Sequence, residues 1–385
     1  MKKRTWMALA AAGCMTMAPM TVLGGEEAGM SEDIYSFQIE YDGELFELPM
    51  AFSELTDRGW KLSKYDDPNT KVGTNSYAMV GFVKGDLELR ADVINFGINE
   101  AALEECLIGG LTVDASYSEM DFNETPVELP GGILMGSSTL EDIKAAYGEP
   151  SDTYEGDNYV KVTYERDMYQ DVELYVYKEQ NALLQASLRN FTEPEDFDKG
   201  SVSTEAPDIV TAYQAPTEPG KDFMDPVVEY FGDLYTLPAP VSAFTANGWE
   251  LKDVEEGAFA EGGGLEFIEM MKENQTVRFS VYNLTENAVT IENCFVTELK
   301  HAEYDPEVIA MKLSGDISLG AERDNLVALA KEKGFVCELD DEGSYLTIYK
   351  DKETKLETRL EIWFNQEKSK SKAAALTYRN EILPQ

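Results

Sequence analysis

The stretch Tyr41–Leu62, YDGELFELPMAFSELTDRGWKL, returns 189 residues later as Tyr230–Leu251, YFGDLYTLPAPVSAFTANGWEL. Ten of the 22 aligned positions are identical without a gap, and they include a tryptophan after a glycine, Trp60 and Trp249. Similarity at a fixed offset is the signature of a duplicated structural unit. The sequence therefore predicts a tandem repeat.

The similarity continues beyond this stretch at slightly different offsets. The further identical pairs are Asn95 and Asn283, Asn99 and Asn287, Glu104 and Glu292, Cys106 and Cys294, Arg189 and Arg379, and Asn190 and Asn380. They place repeat module 1 at residues 34–192 and repeat module 2 at residues 224–383. The intervening residues 193–223 are rich in proline and acidic residues, which predicts a semi-extended linker.

The pattern within one module predicts both strands and short helices. Tyr159–Tyr164, Val172–Tyr177 and Leu183–Leu188 alternate or run apolar as sheet strands do. Ser138-Thr-Leu-Glu141 has the form of a capping box at the start of an amphipathic helix that ends at Gly148. We therefore predict an α+β fold, a tandem duplication of a module with short helices packed on antiparallel sheet and a second small sheet in front.

One segment of the module has a family resemblance. Gly136-Ser-Ser-Thr-Leu-Glu-Asp-Ile143, followed by Tyr147-Gly-Glu-Pro150 and three strands, resembles the small module of SmpA/OmlA-type lipoproteins and of the β-lactamase inhibitory protein. The second repeat departs from it, with Gly320-Ala-Glu-Arg323 in place of the serine cap. The chain as a whole resembles uncharacterised exported tandem-repeat proteins of Gram-positive bacteria. The resemblance implies helices packed on an antiparallel sheet and a role in binding other proteins.

The N-terminus has the layout of an export signal. Lys2–Arg4 form a positive segment, an apolar stretch runs from Trp6 to Leu23, and acidic sequence follows. This predicts a signal peptide over residues 1–24, cleaved after Gly24, and a secreted protein. Ala11-Ala12-Gly13-Cys14 is a loose lipobox, so the alternative is a chain anchored to a membrane by lipid on Cys14.

The charge balance restricts the partners. The chain carries 73 acidic and 32 basic residues, a formal net charge of −41. Such a surface repels phosphate backbones and anionic lipids, so neither nucleic acid nor an anionic membrane surface is an expected partner. A protein or a cell-envelope ligand remains as the predicted partner.

Catalytic chemistry finds little support in the sequence. His301 is the single histidine, so the first repeat has none and a duplicated catalytic histidine is excluded. Clustered Cys and His residues of the kind that bind zinc are absent from the sequence. Carboxylate pairs of any spacing occur by chance among 73 acids, and Gly131-Gly132 before a helix suits a turn better than an anion cradle. We therefore predict no catalytic residue, no cofactor and no metal.

Two further residue types have a structural and a functional interpretation. Trp60 and Trp249 recur in equivalent places, either as core aromatics or as candidate binding aromatics exposed to a glycan or a protein partner. Three cysteines follow the predicted signal peptide, Cys106, Cys294 and Cys337, and the odd number rules out a complete disulfide framework. We expect all three to be buried and reduced.

These observations favour recognition over catalysis. A duplicated module without a duplicated acid–base pair, nucleophile or metal cluster predicts a non-catalytic extracellular binding or scaffold protein of the bacterial envelope, engaging its ligand through sheet faces rich in tyrosine. The alternatives are a secreted inhibitor of an enzyme and an uncharacterised hydrolase with carboxylate catalysis.

Overall fold

A computed structural model describes residues 29–116, 120–306, 310–365 and 371–383. The predicted signal peptide, residues 1–24, lies outside these ranges, and so does the alternative lipidation site Cys14.

The first repeat consists mainly of antiparallel strands joined by tight turns. Its strands are β1 (Gln38–Tyr41), β2 (Glu44–Glu47), β3 (Met50–Ala51), β4 (Lys61–Leu62), β5 (Lys71–Val72), β6 (Ser76–Lys84), β7 (Leu87–Asn95), β8 (Ala101–Ala102), β9 (Leu107–Asp114), β10 (Val127–Leu129), β11 (Ile133–Leu134), β12 (Asp152–Glu155), β13 (Tyr159–Asp167), β14 (Gln170–Tyr177) and β15 (Ala182–Asn190). The α-helices are α1 (Phe52–Asp57) and α2 (Leu140–Tyr147), and 3-10 turns lie at Ile34–Ser36, Leu103–Glu105 and Pro130–Gly132.

The second repeat follows the same order of elements. After the linker helix α3 (Asp208–Thr211), its strands are β16 (Val227–Tyr230), β17 (Asp233–Thr236), β18 (Ala239–Pro240), β19 (Glu250–Lys252), β20 (Phe259–Ala260), β21 (Leu265–Lys272), β22 (Gln275–Tyr282), β23 (Val289–Thr290), β24 (Phe295–Val296), β25 (Glu298–Ala302), β26 (Met311–Leu313), β27 (Val336–Leu339), β28 (Tyr345–Tyr349), β29 (Thr358–Phe364) and β30 (Ala373–Asn380). Its helices are α4 (Val241–Ala246) and α5 (Arg323–Glu332), with a 3-10 turn at Ile291–Asn293.

Two sheets enclose the core of the first repeat. The large one has nine strands in the order β12-β13-β14-β15-β9-β7-β6-β4, with β3 also paired to β9, and the small one has the order β11-β10-β1-β2. Val93 and Leu174 from the large sheet belong to the same hydrophobic cluster as Ile39 and Phe46 from the small sheet. The alternating apolar residues of both sheets therefore form one core.

The large sheet is divided in the second repeat. One five-stranded sheet has the order β18-β24-β22-β21-β19, and another has the order β25-β30-β29-β28-β27. β24 and β25, separated by Thr297, together occupy the place of the single strand β9. The two halves that β9 holds together in the first repeat are thus separate sheets in the second.

An asparagine near the end of each repeat forms a hydrogen bond with the backbone near the beginning of the same repeat. The side-chain amide of Asn190 donates to the carbonyl oxygen of Leu48 at 2.7 Å, and that of Asn380 donates to the carbonyl oxygen of Leu237 at 2.6 Å. Both asparagines are buried. The repeat-equivalent asparagines therefore connect the last strand of each repeat to its first helix region, which explains their identity in both.

Equivalent loops of the two repeats touch each other. The Glu100 N–H donates to the Glu286 carbonyl at 3.1 Å, and the Ala288 N–H donates to the side-chain oxygen of Asn99 at 2.9 Å. Because these loops occupy the same place in each repeat, the contact resembles the interface of a two-fold dimer, in which one patch meets its own copy.

The linker residues 193–223 are bonded to both repeats. The Ile98 N–H donates to the Lys199 carbonyl at 2.9 Å, and the Asn99 side-chain amide donates to the Ser201 carbonyl at 3.0 Å. Further along, Tyr213 packs against the second core. The linker is thus an ordered connection in this structure.

The predicted fold class is wrong, because helices do not form a layer. Of the residues that the structure describes, strands hold 43% and helices 13%. The longest helix, α5, has 10 residues and buries Leu326 and Ala330, and α2 has 8 residues and buries Ile143 alone. Helices this short bury too little apolar surface to cover a sheet, so the core is formed between sheets. The predicted second small sheet is present.

The predicted capping box is displaced by one residue. The cap of α2 is Thr139, whose hydroxyl accepts from the Asp142 N–H while the Asp142 carboxylate accepts from the Thr139 N–H. Ser138 instead accepts a hydrogen bond from the Leu134 N–H at 2.9 Å and is buried. A row of Ser-Ser-Thr offers several candidate caps, and the turn after β11 selects among them.

The three described cysteines are free thiols, and this leads to a first prediction. Burial raises the pKa of both Cys106 and Cys294 to about 12, so neither forms a thiolate at neutral pH. The expectation of a buried thiol is wrong for Cys337, which is only partly buried. In native protein, we expect a thiol reagent to modify Cys337 fastest; in denaturant without reductant, intact mass should show three modified thiols. Two missing modifications would reveal a disulfide and contradict the account.

Candidate binding surfaces

The two predicted binding aromatics lie inside the cores. Trp60 is 1% exposed and Trp249 is 2% exposed. The ring of Trp60 packs on Tyr41 at 5.5 Å between centroids, and that of Trp249 packs on Phe231 at 5.0 Å. These positions match the core interpretation of the two tryptophans, and a surface platform has to be sought elsewhere.

His301 also has a structural position. It lies in β25, is 8% exposed, and its Nδ1 accepts a hydrogen bond from the Met311 N–H at 3.3 Å. Burial lowers the pKa of His301, and the nearby Asp305 carboxylate opposes this shift. The neutral imidazole therefore fastens β26 to β25, since only unprotonated Nδ1 can accept that bond.

This bond predicts how stability depends on pH. Because the pKa of His301 is lower in the folded chain, the unfolded chain binds the extra proton first as the pH falls. We expect the free energy of unfolding to be unaffected by His301 above about pH 6.5 and to decrease as the pH falls below that value. The single imidazole resonance in an NMR titration should report a pKa below its usual range.

A matched variant separates this effect from the titration of the many carboxylates. His301→Gln should remove the part of the pH dependence that lies just below pH 6.5, while the acid unfolding at lower pH persists. An imidazole resonance that titrates above the usual range would contradict the assignment.

Two carboxylates on the outer face of the nine-stranded sheet have raised pKa values, although no residue could be named from the sequence for the hydrolase alternative. Asp171 is bound to the guanidinium of Arg189, with an Nη2–Oδ2 distance of 2.5 Å. Desolvation raises the pKa of both Asp171 and Asp92, and in each case the Arg189 charge opposes the shift. The Asp171–Arg189 contact is a structural ion pair, and it gives no duplicated acid–base pair, because Arg359 stands in the second repeat at the position of Asp171.

The described residues were also searched for an arrangement that could bind a metal ion or an anion. Within the described ranges, no group of three His, Cys, Asp or Glu side chains is arranged to hold a metal ion. The Gly131 N–H donates to the carbonyl of Ser31 at 3.1 Å, and Gly131 and Gly132 both have positive φ, as a turn requires. The double glycine is thus part of a turn, and the Gly131 N–H already has an acceptor within the protein.

Four tyrosines form a cluster on the outer face of the first repeat's large sheet. We call Tyr154, Tyr159, Tyr175 and Tyr177 the tyrosine face. The ring of Tyr159 lies at its centre, 6.2 Å from Tyr154, 5.3 Å from Tyr175 and 5.7 Å from Tyr177 between centroids. Tyr154 is 54% exposed, and the other three are partly exposed. The rings therefore present a nearly continuous aromatic surface to solvent.

Charged neighbours hold one side of the tyrosine face in place. The Tyr175 hydroxyl donates to Glu173 at 3.0 Å, and Glu173 also pairs with the Lys161 ammonium at 2.6 Å. Desolvation, followed by the bond to Glu173, raises the pKa of Tyr175, so its hydroxyl keeps its proton. Rings fixed in this way lose little conformational freedom on binding, which favours affinity.

The second repeat carries aromatic rings in the same region. Cross-strand register places Trp363 at the position of Tyr175 and Tyr345 at the position of Lys161. Tyr345 is 56% exposed, and a nearby hollow of about 360 Å³ is lined by Tyr304, Tyr345 and Trp363. Outward aromatic rings on this part of the sheet are therefore common to both repeats, although the residues differ.

Comparison with family models, curated proteins and solved structures finds no match to this chain. The resemblance to SmpA/OmlA-type lipoproteins and to the β-lactamase inhibitory protein thus stays a prediction from a short motif. Among the described residues, none of the helices has the length and apolar composition needed to cross a bilayer.

Sequence reasoning recognised that tyrosine is abundant but did not locate the tyrosine face. The signal was the alternation within β13 and β14, where Val162 and Leu174 point into the core. In such strands the intervening residues point outward. Pairing β13 with β14 in register would have brought Tyr159 and Tyr177 together on one face.

Proposed function

We propose that the protein is a non-catalytic binding or scaffold protein of the bacterial envelope, exported by residues 1–24 and either secreted or held through lipid on Cys14. Its ligand is a protein or another component of the envelope. The tyrosine face of the first repeat is the principal contact surface, and the aromatic rings of the second repeat form an additional one.

The observation that carries this proposal is the packing of four tyrosine rings on one solvent-facing side of a sheet. Tyrosine is enriched where proteins bind each other, since its ring offers apolar area and its hydroxyl offers a hydrogen bond. A ligand of this face gains contact with rings that are already ordered. The duplication provides two such regions in one chain, so modest affinities at each can combine.

Two other functions remain as alternatives. A secreted enzyme inhibitor would use the same exposed rings, and the resemblance to an inhibitory protein favours it. A carboxylate-dependent hydrolase would use residues such as Asp92 and Asp171, whose pKa values are raised by desolvation. The ion pair between Asp171 and Arg189 and the lack of an equivalent pair in the second repeat favour binding over hydrolysis.

The test is capture of envelope proteins and glycans by the chain that begins at residue 25. Wild type is compared with Tyr154→Ala/Tyr159→Ala, and the control is Tyr65→Ala, which removes a tyrosine that is 86% exposed outside the cluster. We expect the double variant to weaken binding of the captured ligand at least tenfold and Tyr65→Ala to leave it unchanged.

Three other outcomes would point elsewhere. Equal binding by both variants would remove the tyrosine face from the proposal. Turnover of a glycan or peptide that is abolished by Asp171→Asn or Asp92→Asn would select the hydrolase. Inhibition of a captured enzyme at stoichiometric amounts would select the inhibitor.

A further inference from the structure

The hollow of about 360 Å³ in the second repeat has aromatic walls and a small residue in its floor. Strand register places Tyr345, Trp363 and Ala375 side by side across β28, β29 and β30. Tyr304, which follows the end of β25, also lines the hollow. Tyr345 and Tyr304 are 56% and 73% exposed, and Trp363 is partly exposed. A flat group that lies over Ala375 therefore has aromatic rings beside it.

A row of polar side chains lies next to the rings. Glu361, Thr377 and Lys300 are register partners on β29, β30 and β25, and all three line the hollow. The carboxylate accepts hydrogen bonds, the ammonium donates them, and the hydroxyl does both. Charges around this row balance, since Arg359 pairs with Glu361 at 3.1 Å and Asp305 lines the adjoining hollow together with Lys300. In a chain with a net charge of −41, this balance favours a neutral ligand.

The floor of the hollow differs between the repeats. Gln185 pairs with Tyr175 in the first repeat as Ala375 pairs with Trp363 in the second, so the two residues hold equivalent positions. A glutamine side chain extends well beyond the single methyl group of alanine. The space above Ala375 therefore depends on the small residue of the second repeat.

We propose that this hollow binds a neutral pyranose ring of an envelope glycan, with the C–H face of the sugar against Trp363 and its hydroxyl groups toward Glu361, Thr377 and Lys300. This inference rests on the proposed function, since it names the ligand of the additional aromatic surface. A pyranose ring carries C–H groups on its face and hydroxyl groups around its rim, so it contacts the rings and the polar row together.

The size and the polarity of the hollow both favour a sugar. Its volume lies near the lower end of the range of small-ligand sites, which is about 300–1,000 Å³. An apolar side chain of a protein partner would cover Glu361 and Lys300 without offering them hydrogen bonds, which carries a desolvation cost. Sugar hydroxyl groups replace the water that these side chains lose.

Tryptophan fluorescence reports directly on this site. The chain that begins at residue 25 contains Trp60, Trp249 and Trp363, and the first two are buried. Acrylamide in solution therefore quenches Trp363 preferentially. The probes are the methyl pyranosides of glucose, galactose, mannose and N-acetylglucosamine. We expect at least one of them to shield Trp363 in a saturable manner, and we expect sorbitol, which has hydroxyl groups but no ring, to give no shielding.

Ala375→Gln is the decisive variant, because it places the residue of the first repeat in the floor of the hollow. It should weaken sugar binding about tenfold or more, since the longer side chain occupies the space of the sugar ring. Tyr345→Ala, at an exposed position, should also weaken binding. The matched control is Gln185→Ala, the reverse exchange in the first repeat, which should leave the affinity unchanged.

Three results would overturn this inference: shielding by none of the sugars, equal shielding by sorbitol, or an affinity that Ala375→Gln leaves unchanged. Shielding of Trp363 by a captured envelope protein but by no sugar would overturn it as well. The proposed function fails separately, because its own test measures capture by Tyr154→Ala/Tyr159→Ala in the first repeat.

Discussion

Replacing Gly109-Gly110 by Thr-Glu should lower the free energy of unfolding of the first repeat by about 3 kcal/mol or more, since forced overpacking at one buried position already costs about 1–3 kcal/mol. A Cβ atom on Gly109 would lie 2.7 Å from the Phe191 ring and 2.9 Å from Ile94. The clash with Asp92 at Gly110 adds to this. Relief requires β7 to separate from β9, and thermal or denaturant unfolding measures the loss.

The reverse exchange in the second repeat is the control. Glu298→Gly removes a side chain where the strands are already apart, so the expected loss is about 1 kcal/mol from backbone entropy. Thr297 is kept, because it is 1% exposed and its removal would add a loss of packing. A marked asymmetry between the two exchanges is the predicted result. Equal losses in both repeats would show that the two glycines do not keep the sheet closed.

Asn190→Ala and Asn380→Ala should each destabilise its own repeat by about 2–4 kcal/mol, because each leaves buried polar groups without partners. Asn190 also accepts from the Gln170 side-chain amide at 2.9 Å, and Asn380 accepts from the Thr358 hydroxyl at 2.6 Å. The two repeats have separate cores, so calorimetry should show one transition moved in each variant.

The control for the asparagines is Asn123→Ala. Asn123 is exposed, and its bonds to described residues go to Asp121, at 2.9 Å and 3.0 Å. Its replacement should change stability by less than about 0.5 kcal/mol. If Asn190→Ala were as mild as Asn123→Ala, the proposed tie between the ends of the repeat would contribute little.

Much of the architecture could be predicted from the sequence because the module occurs in it twice. The offset between Tyr41–Leu62 and Tyr230–Leu251 located the repeats, and the alternation in β13, β14 and β15 located strands. The sequence paired Asn190 with Asn380, and only the structure shows that both are buried and bind Leu48 or Leu237. The predicted layer of helices on a sheet was wrong. A short amphipathic segment predicts a helix, but it does not reveal how little of the sheet that helix will cover.

The division of the second sheet could not be foreseen from the alignment alone. Residues 106–111, CLIGGL, and their equivalents 294–299, CFVTEL, differ visibly, but the cost of a side chain at Gly110 depends on the position of Asp92 on a neighbouring strand. The tyrosine face also depends on neighbouring strands, since Tyr154 and Tyr177 come together only through the pairing of their strands with the strand of Tyr159. Both are consequences of tertiary register, which local propensity does not encode.

Amide hydrogen exchange of the equivalent strand segments tests the central structural claim most directly. Residues 90–92 and 110–112 lie in a closed sheet, whereas residues 278–280 and 298–300 border a cleft. The account predicts slow exchange throughout the first pair of segments and fast exchange at alternate amides of the second pair. Equal protection of both pairs would show that the second sheet is closed in solution, and it would contradict the account.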